Sequence, residues 1–85
     1  MIGQDIPTNK EIMERDNYTC YICHRILPEE KLTVDHVLPR VKGGTSIAAN
    51  LKCCCKVCNV YKGEFTYSDK LVELIRRELR ADGLI

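Results

Sequence analysis

Two closely spaced cysteine pairs, Cys20-x-x-Cys23 and Cys55-x-x-Cys58, constrain the fold of this 85-residue chain more than any other feature. Each C-x-x-C turn presents two thiolates to one ion, and two such turns complete a tetrahedral shell. Thiolates are soft ligands that favour zinc over magnesium or calcium. A chain this short buries little apolar surface and generally needs a further constraint to fold. The pattern therefore predicts a single domain over residues 1–85, held together by structural Zn²⁺.

Two other uses of these cysteines stay open on ligand chemistry alone. A pair of disulfides requires an oxidising compartment, whereas the first sixteen residues carry four acidic side chains and no apolar run typical of a signal peptide. An iron–sulfur cluster uses the same type of ligand. Because the sequence also contains no apolar stretch long enough to span a membrane, we expect a soluble, cytoplasmic protein that holds zinc.

Cys53 and Cys54 directly precede Cys55 and are left over from the two pairs. They lie in an apolar stretch, and free cysteine often behaves as a small buried hydrophobe, so we interpret both as packing residues. A shifted grip through Cys54 and Cys58, which leaves Cys55 spare, is the alternative. A redox or metal-sensing role has little support, because adjacent cysteines form a disulfide only in a strained ring.

Hydrophobic periodicity and capping signals predict a small α+β fold. The predicted elements are helices over about 8–17, 55–62 and 66–82 and strands over 32–36 and 50–54. Thr8 and Glu11 have the spacing of a capping box, and Thr66 with Asp69 suggests a second one. In the last helix, an apolar stripe is expected to face the core: Leu71, Leu74, Ile75 and Leu79.

The formal net charge is only +1, but its distribution is uneven. Between Val37 and Gly63 there is no acidic residue, whereas the segment contains five basic ones: Arg40, Lys42, Lys52, Lys56 and Lys62. A local positive field of this kind attracts a polyanion. Alternatively, the lysines merely offset the negative charge of four thiolates around one zinc ion.

Residues suited to phosphodiester hydrolysis cluster in the same segment. His36 has the type of side chain that accepts a proton from water near neutral pH. The carboxylate of Asp35 and an asparagine amide oxygen are hard ligands for a divalent ion. Taken singly, each has an ordinary structural interpretation, as a strand end, a cap or a buried histidine.

Taken together, the motifs of residues 15–63 resemble the HNH endonucleases. The resemblance lies in the run Asp35–Gly44 (DHVLPRVKGG), in Asn50-Leu51, and in the run Cys55–Gly63 (CKVCNVYKG). It implies a ββα-metal (His-Me finger) core with flanking N- and C-terminal helices, and a metal-dependent DNA endonuclease. His36 is then the general base, Asp35 and Asn59 hold the catalytic ion, and Asn50 orients the loop and the His36 strand.

The third signature position is Asn59, where the family often has histidine. The chain therefore resembles the His-Asn-Asn variant, and the harder amide oxygen shifts the expected catalytic ion towards Mg²⁺ or Mn²⁺. We expect Arg40, Lys42 and Lys62 to contact DNA phosphates, which position a duplex without reading its sequence. A monomer with one such site is expected to nick with low sequence specificity, and double-strand breaks require a dimer or two events. The competing hypothesis is a non-catalytic, zinc-stapled DNA-binding module.

Overall fold

A two-stranded antiparallel sheet followed by a short helix forms the centre of the fold. The computed structural model describes residues 6–85, so residues 1–5, including Asp5 of the acidic N-terminal segment, lie outside it. The elements in chain order are helix α1 (Asn9–Arg15), strands β1 (Leu32–His36) and β2 (Leu51–Cys55), and helices α2 (Lys56–Lys62) and α3 (Asp69–Ala81). The predicted α+β class and its ββα order are confirmed. Single 3-10 turns occur at Glu29–Lys31, Arg40–Lys42 and Ala48–Asn50.

The strand register defines two different ends of the sheet, one at Cys55 and the other at His36. Leu32 pairs with Cys55 at one end, and His36 pairs with Leu51 at the other. Helix α2 begins directly after β2 and packs on both strands. Its first turn therefore lies at the cysteine end, while its last residue, Lys62, reaches back to Asp35 in β1.

Helices α1 and α3 both have a hydroxyl side chain as N-cap, as expected. The Thr8 hydroxyl accepts from the Glu11 amide at 3.1 Å, and the Glu11 carboxylate accepts from the Thr8 amide at 2.8 Å, so the predicted capping box is present. The predicted Thr66 cap is wrong. Helix α3 is capped by Ser68, whose hydroxyl accepts from the Leu71 amide. The preceding residue, Tyr67, donates its backbone N–H to the Val37 carbonyl, and this hydrogen bond holds the segment that contains Thr66 outside the helix.

The core lies between the sheet, α1, the first cysteine turn and α3. Its α3 contribution differs from the predicted stripe: Leu74 is 46% exposed, and Val72 is buried instead. The resulting spacing of Val72, Ile75 and Leu79 still follows one helical face. Cys53 and Cys54 are fully buried among these side chains, as expected for packing residues. In the described part of the chain, no helix is both long and apolar enough to cross a bilayer.

The end of α1 is fastened to β2 by a pair that the sequence did not reveal. The Arg15 guanidinium donates to the Leu51 carbonyl at 2.6 Å and also bonds both carboxylate oxygens of Asp16. Asp16 in turn accepts from the Cys53 amide at 2.9 Å. These bonds satisfy backbone groups on the outer edge of β2, which no third strand covers in residues 6–85.

Candidate metal centre and active site

The four paired cysteines converge at the cysteine end of the sheet. The sulfur atoms of Cys20, Cys23, Cys55 and Cys58 all lie within 4.8 Å of one another, and the Cys23 and Cys55 sulfurs are 3.9 Å apart. Tetrahedral zinc with bonds of about 2.3 Å requires sulfur separations of about 3.8 Å. The cluster therefore fits the predicted structural zinc site.

Local backbone geometry prepares these sulfurs as ligands. The amides of Ile22 and Cys23 donate to the Cys20 sulfur, and the Cys58 amide donates to the Cys55 sulfur at the start of α2. Hydrogen bonds from the neighbouring thiols, Cys54 first and then Cys55 and Cys58, lower the pKa of Cys20, and the same bonds to Cys20 raise the pKa of Cys55 and of Cys58, so Cys20 is the first of these thiols to ionise. A lowered pKa favours the thiolate that binds a metal.

The other two cysteines stay outside this group of ligands. Burial raises the pKa of Cys53 to about 11, so this side chain is a neutral thiol at physiological pH. The hydrogen bond to Cys20, together with burial, raises the pKa of Cys54 as well. Within the described residues the metal-binding group contains Cys55 and not Cys54, so the alternative grip through Cys54 is not formed.

Arg25 supplies positive charge beside the cysteine cluster. Its Nε donates to the Cys23 sulfur at 3.3 Å, and one terminal nitrogen lies 3.6 Å from the Cys55 sulfur. The other terminal nitrogen donates to the Leu84 carbonyl at 3.1 Å. A zinc ion with four thiolates carries a formal charge of about −2, and the guanidinium offsets part of it.

We expect Arg25→Gln to accelerate the loss of zinc by about tenfold, because outer-sphere hydrogen bonds to ligands contribute on this scale. The measurement is the rate at which zinc passes from the protein to a colorimetric chelator that is present in excess. Arg77→Gln, an exposed position on α3, serves as the control. Equal release rates for both variants and the parent would show that Arg25 does not stabilise the metal centre.

The second site is a shallow cleft of about 270 Å³ at the edge of the sheet near His36. Asp35 and His36 line it from the end of β1, and Asn59 and Lys62 line it from α2. The predicted general base and both predicted ligands of the catalytic ion thus share one cleft. Their roles stay predictions, but a carboxylate, an amide and an imidazole around one opening are a chemically suitable set.

Asp35 is nearly buried and is held by two donors. Its Oδ2 accepts from the Tyr21 hydroxyl at 2.5 Å and from the Lys62 ammonium at 3.0 Å, whereas Oδ1 lies 3.4 Å from the same ammonium. Burial, and after it the hydrogen bond to Asp35, raises the pKa of Tyr21, so the hydroxyl keeps its proton and donates. Tyr21 lies between Cys20 and Cys23 of the metal-binding group, and no motif in the sequence identifies it as a partner of Asp35.

Lys62 differs from its predicted position. The sequence placed it with Arg40 and Lys42 as a surface contact for DNA phosphates, but its side chain is only 1% exposed. Its ammonium bonds Asp35 and the His36 carbonyl, at 3.1 Å for the latter. A buried ammonium needs such partners, because an unpaired charge in the interior is costly. In this arrangement Lys62 stabilises the end of β1, and its ammonium group is buried away from solvent.

Arg40 and Lys42 are exposed, as a phosphate contact requires. Both belong to the 3-10 turn that follows Pro39, and Arg40 lines the cleft itself. The Lys42 ammonium lies 6.0 Å from the centre of the Phe65 ring. Arg40 thus borders the opening that Asp35 and His36 line, and Lys42 lies two residues further along the same turn, beside Phe65.

The His36 ring is oriented by Ser46, a residue that the sequence analysis did not single out. Nε2 lies 3.0 Å from the Ser46 hydroxyl oxygen, across the loop that joins β1 to β2. When Nε2 carries the proton and donates it to Ser46, the lone pair on Nδ1 is free to accept another. The only available signal was the position of Ser46 shortly after Gly43-Gly44, which is too general to identify a partner for histidine.

Asn50 ties the same loop together through three hydrogen bonds. Its Oδ1 accepts from the Leu38 amide at 2.9 Å, and its Nδ2 donates to the carbonyls of Leu38 and Thr45 at 3.1 and 2.8 Å. Gly44 allows this close packing, since a Cβ there would lie 1.8 Å from the Leu38 carbonyl oxygen. The side chain thus bridges both arms of the loop next to His36.

Replacing Asn50 by alanine is expected to lower the free energy of unfolding by about 1–3 kcal/mol, because three backbone groups lose their partner. Urea denaturation of the zinc-loaded protein measures the change. Asn9→Ala, at the exposed first position of α1, is the matched control. An Asn50→Ala midpoint equal to that of the control would mean that the loop does not depend on this amide.

Comparison with known families agrees with this geometry. The family model described as HNH endonuclease matches residues 20–72, which is more than half of the chain. The matched segment includes all four cysteines of the metal centre and every residue of the cleft. No curated protein matches the chain. The family match supports a nuclease-type function with DNA as the substrate, and by it the chain belongs to the HNH endonuclease family.

Proposed function

We propose that the chain is a single-domain, metal-dependent DNA endonuclease that nicks duplex DNA with low sequence specificity. The observation that carries the proposal is the shared cleft, in which Asp35, His36 and Asn59 lie beside one another on β1 and α2. Family membership supplies the reaction class, and the cleft supplies residues suited to it.

His36 is the proposed general base. With Nε2 fixed against Ser46, Nδ1 accepts a proton from a water molecule as its oxygen attacks the phosphorus. The bond from phosphorus to the 3′-oxygen breaks, and this oxygen takes a proton from solvent. The products are a 5′-phosphate and a 3′-hydroxyl. Asn50 contributes by holding the loop that carries Ser46 in place.

Asp35 and Asn59 are the proposed ligands of a catalytic Mg²⁺ or Mn²⁺ ion. Their carboxylate and amide oxygens are the hard donors that such ions prefer. Asp35 fits the role because its two donors converge on Oδ2, while the nearest donor to Oδ1 lies at 3.4 Å, which leaves lone pairs on Oδ1 available. When bound, the ion supplies stabilisation of the negative charge that develops on the phosphate and the leaving oxygen.

Arg40 and Lys42 are the proposed phosphate contacts of the duplex. Contacts of this kind bind and position DNA but carry no sequence information. α3 lies against the core and the first cysteine turn through Val72, Ile75 and Leu79, and is thus a packing element. We therefore infer that one protomer cuts one strand with little preference for sequence.

The test is incubation of the zinc-loaded protein with supercoiled plasmid, with and without added Mg²⁺ or Mn²⁺. We expect open-circular DNA to accumulate only with added ion, with 5′-phosphate ends that a ligase can reseal. A folded, zinc-loaded protein that shifts DNA in a gel but never converts the plasmid would overturn the proposal in favour of a non-catalytic binding module.

A further inference from the structure

Tyr21 connects the zinc centre to the cleft, and we propose that it is a positioning residue for hydrolysis, holding the Asp35 carboxylate in the orientation that binds the divalent ion. The inference rests on the proposed function, because it assigns Asp35 to that ion. It adds a residue outside the HNH motif, located between the zinc ligands Cys20 and Cys23.

The backbone of Tyr21 is fixed from two directions. Its amide donates to the Cys53 carbonyl in β2 at 3.0 Å. Its two flanking residues are Cys20, a member of the cysteine cluster, and Ile22, which is fully buried. The position of the Tyr21 Cα is therefore set by the sheet and by the metal centre together.

The ring of Tyr21 is held by a second aromatic side chain. Its centroid lies 5.4 Å from that of Tyr67, with an angle of 28° between the ring planes. The backbone N–H of Tyr67 donates a hydrogen bond of 3.2 Å to the carbonyl of Val37, the residue that follows β1. Stacked rings at this distance restrict each other's rotation, so the Tyr21 hydroxyl has a defined direction.

The hydroxyl points to Oδ2 of Asp35, the carboxylate oxygen that is not assigned to the proposed ion. The Tyr21 hydroxyl and the Lys62 ammonium both bond Oδ2 of Asp35. With Oδ2 bound by two donors, rotation of the carboxylate about its Cβ–Cγ bond is limited, and Oδ1, whose donor lies at 3.4 Å, is the oxygen with more lone-pair capacity left for an ion. Outer-sphere bonds of this kind commonly change metal affinity or activity by about 10–100-fold when they are removed.

The test is Mn²⁺ binding to the zinc-loaded protein, followed by the loss of the free-ion electron paramagnetic resonance signal. We expect Tyr21→Phe, which keeps the ring stack but removes the hydroxyl, to weaken Mn²⁺ binding by about tenfold. Nicking by this variant should return towards the parent rate at saturating Mn²⁺, because the defect lies in binding of the ion. A merely structural loss would not be rescued by metal.

Tyr61→Phe is the matched control, since its hydroxyl bonds Asp82 at 2.6 Å on an exposed surface. Asp35→Asn separates the two levels of the proposal. Unchanged Mn²⁺ affinity in Tyr21→Phe, with binding lost in Asp35→Asn, would overturn the role of Tyr21 and leave the proposed function standing. Parent-like Mn²⁺ binding in Asp35→Asn would overturn both. If Tyr21→Phe fails to hold zinc, Tyr67→Leu decides: weaker Mn²⁺ binding supports the proposal, and parent affinity overturns it.

Discussion

Replacement of His36 by alanine is expected to reduce the nicking rate by about 10²–10⁴-fold, the range that a general base contributes. The substitution removes the imidazole but keeps the backbone carbonyl that the Lys62 ammonium contacts. We therefore expect the fold and the zinc content to survive. Initial rates of plasmid nicking at saturating Mn²⁺ give the effect, with zinc measured on the same samples.

His24→Asn is the matched control for this experiment, because the chain contains only these two histidines. His24 is exposed and has a positive φ of 64°, a conformation that asparagine tolerates better than alanine does. It should cut at the parent rate. Comparable rates for His36→Ala and His24→Asn would show that another group takes the proton from water.

Removal of the structural metal is expected to abolish cooperative folding. Binding of zinc to four thiolates contributes about 10–16 kcal/mol in small metal domains, which is as large as the whole stability of a typical domain, about 5–15 kcal/mol. Cys58→Ser deletes a buried ligand that lies on α2. We expect this variant to lack both stoichiometric zinc and a sigmoidal thermal transition by circular dichroism.

Cys53→Ala provides the control, since Cys53 is equally buried but lies outside the metal-binding group. It should lose some stability through reduced packing and yet retain one zinc per chain. A cooperative melt in the Cys58→Ser protein, or in the parent after strong chelation, would contradict the assignment of zinc as the main constraint on the fold.

Local sequence patterns were sufficient for most of the architecture. The strand over 32–36 has the predicted bounds, and α2 runs from the Cys55 cap to Gly63 as the glycine and the cysteine spacing indicate. Errors arose where tertiary contacts decide between equivalent local signals. Ser68 replaces Thr66 as the α3 cap because the segment before it is bonded to Val37, and this bond is not visible in the sequence.

The candidate site was predictable in its motif residues and not in their partners. Asp35, His36 and Asn59 carry recognisable spacing, whereas Tyr21 and Ser46 lie 14 and 10 residues from the side chains that they contact. Lys62 was misplaced for a physical reason. Charge predicts exposure, but the ammonium is buried by an ion pair with Asp35, and that pairing depends on how α2 packs against β1.

Helix α2 carries a zinc ligand and a proposed catalytic ligand at adjacent positions, Cys58 and Asn59, within seven residues. An insertion of one residue between these two positions turns Asn59 by about 100° relative to Cys58, so this part of the helix cannot change in length without loss of one ligand. The exposed turn Glu29–Lys31 has no such constraint. Natural variation and grafted DNA-reading modules should therefore be accommodated at that turn, while the length of α2 stays invariant.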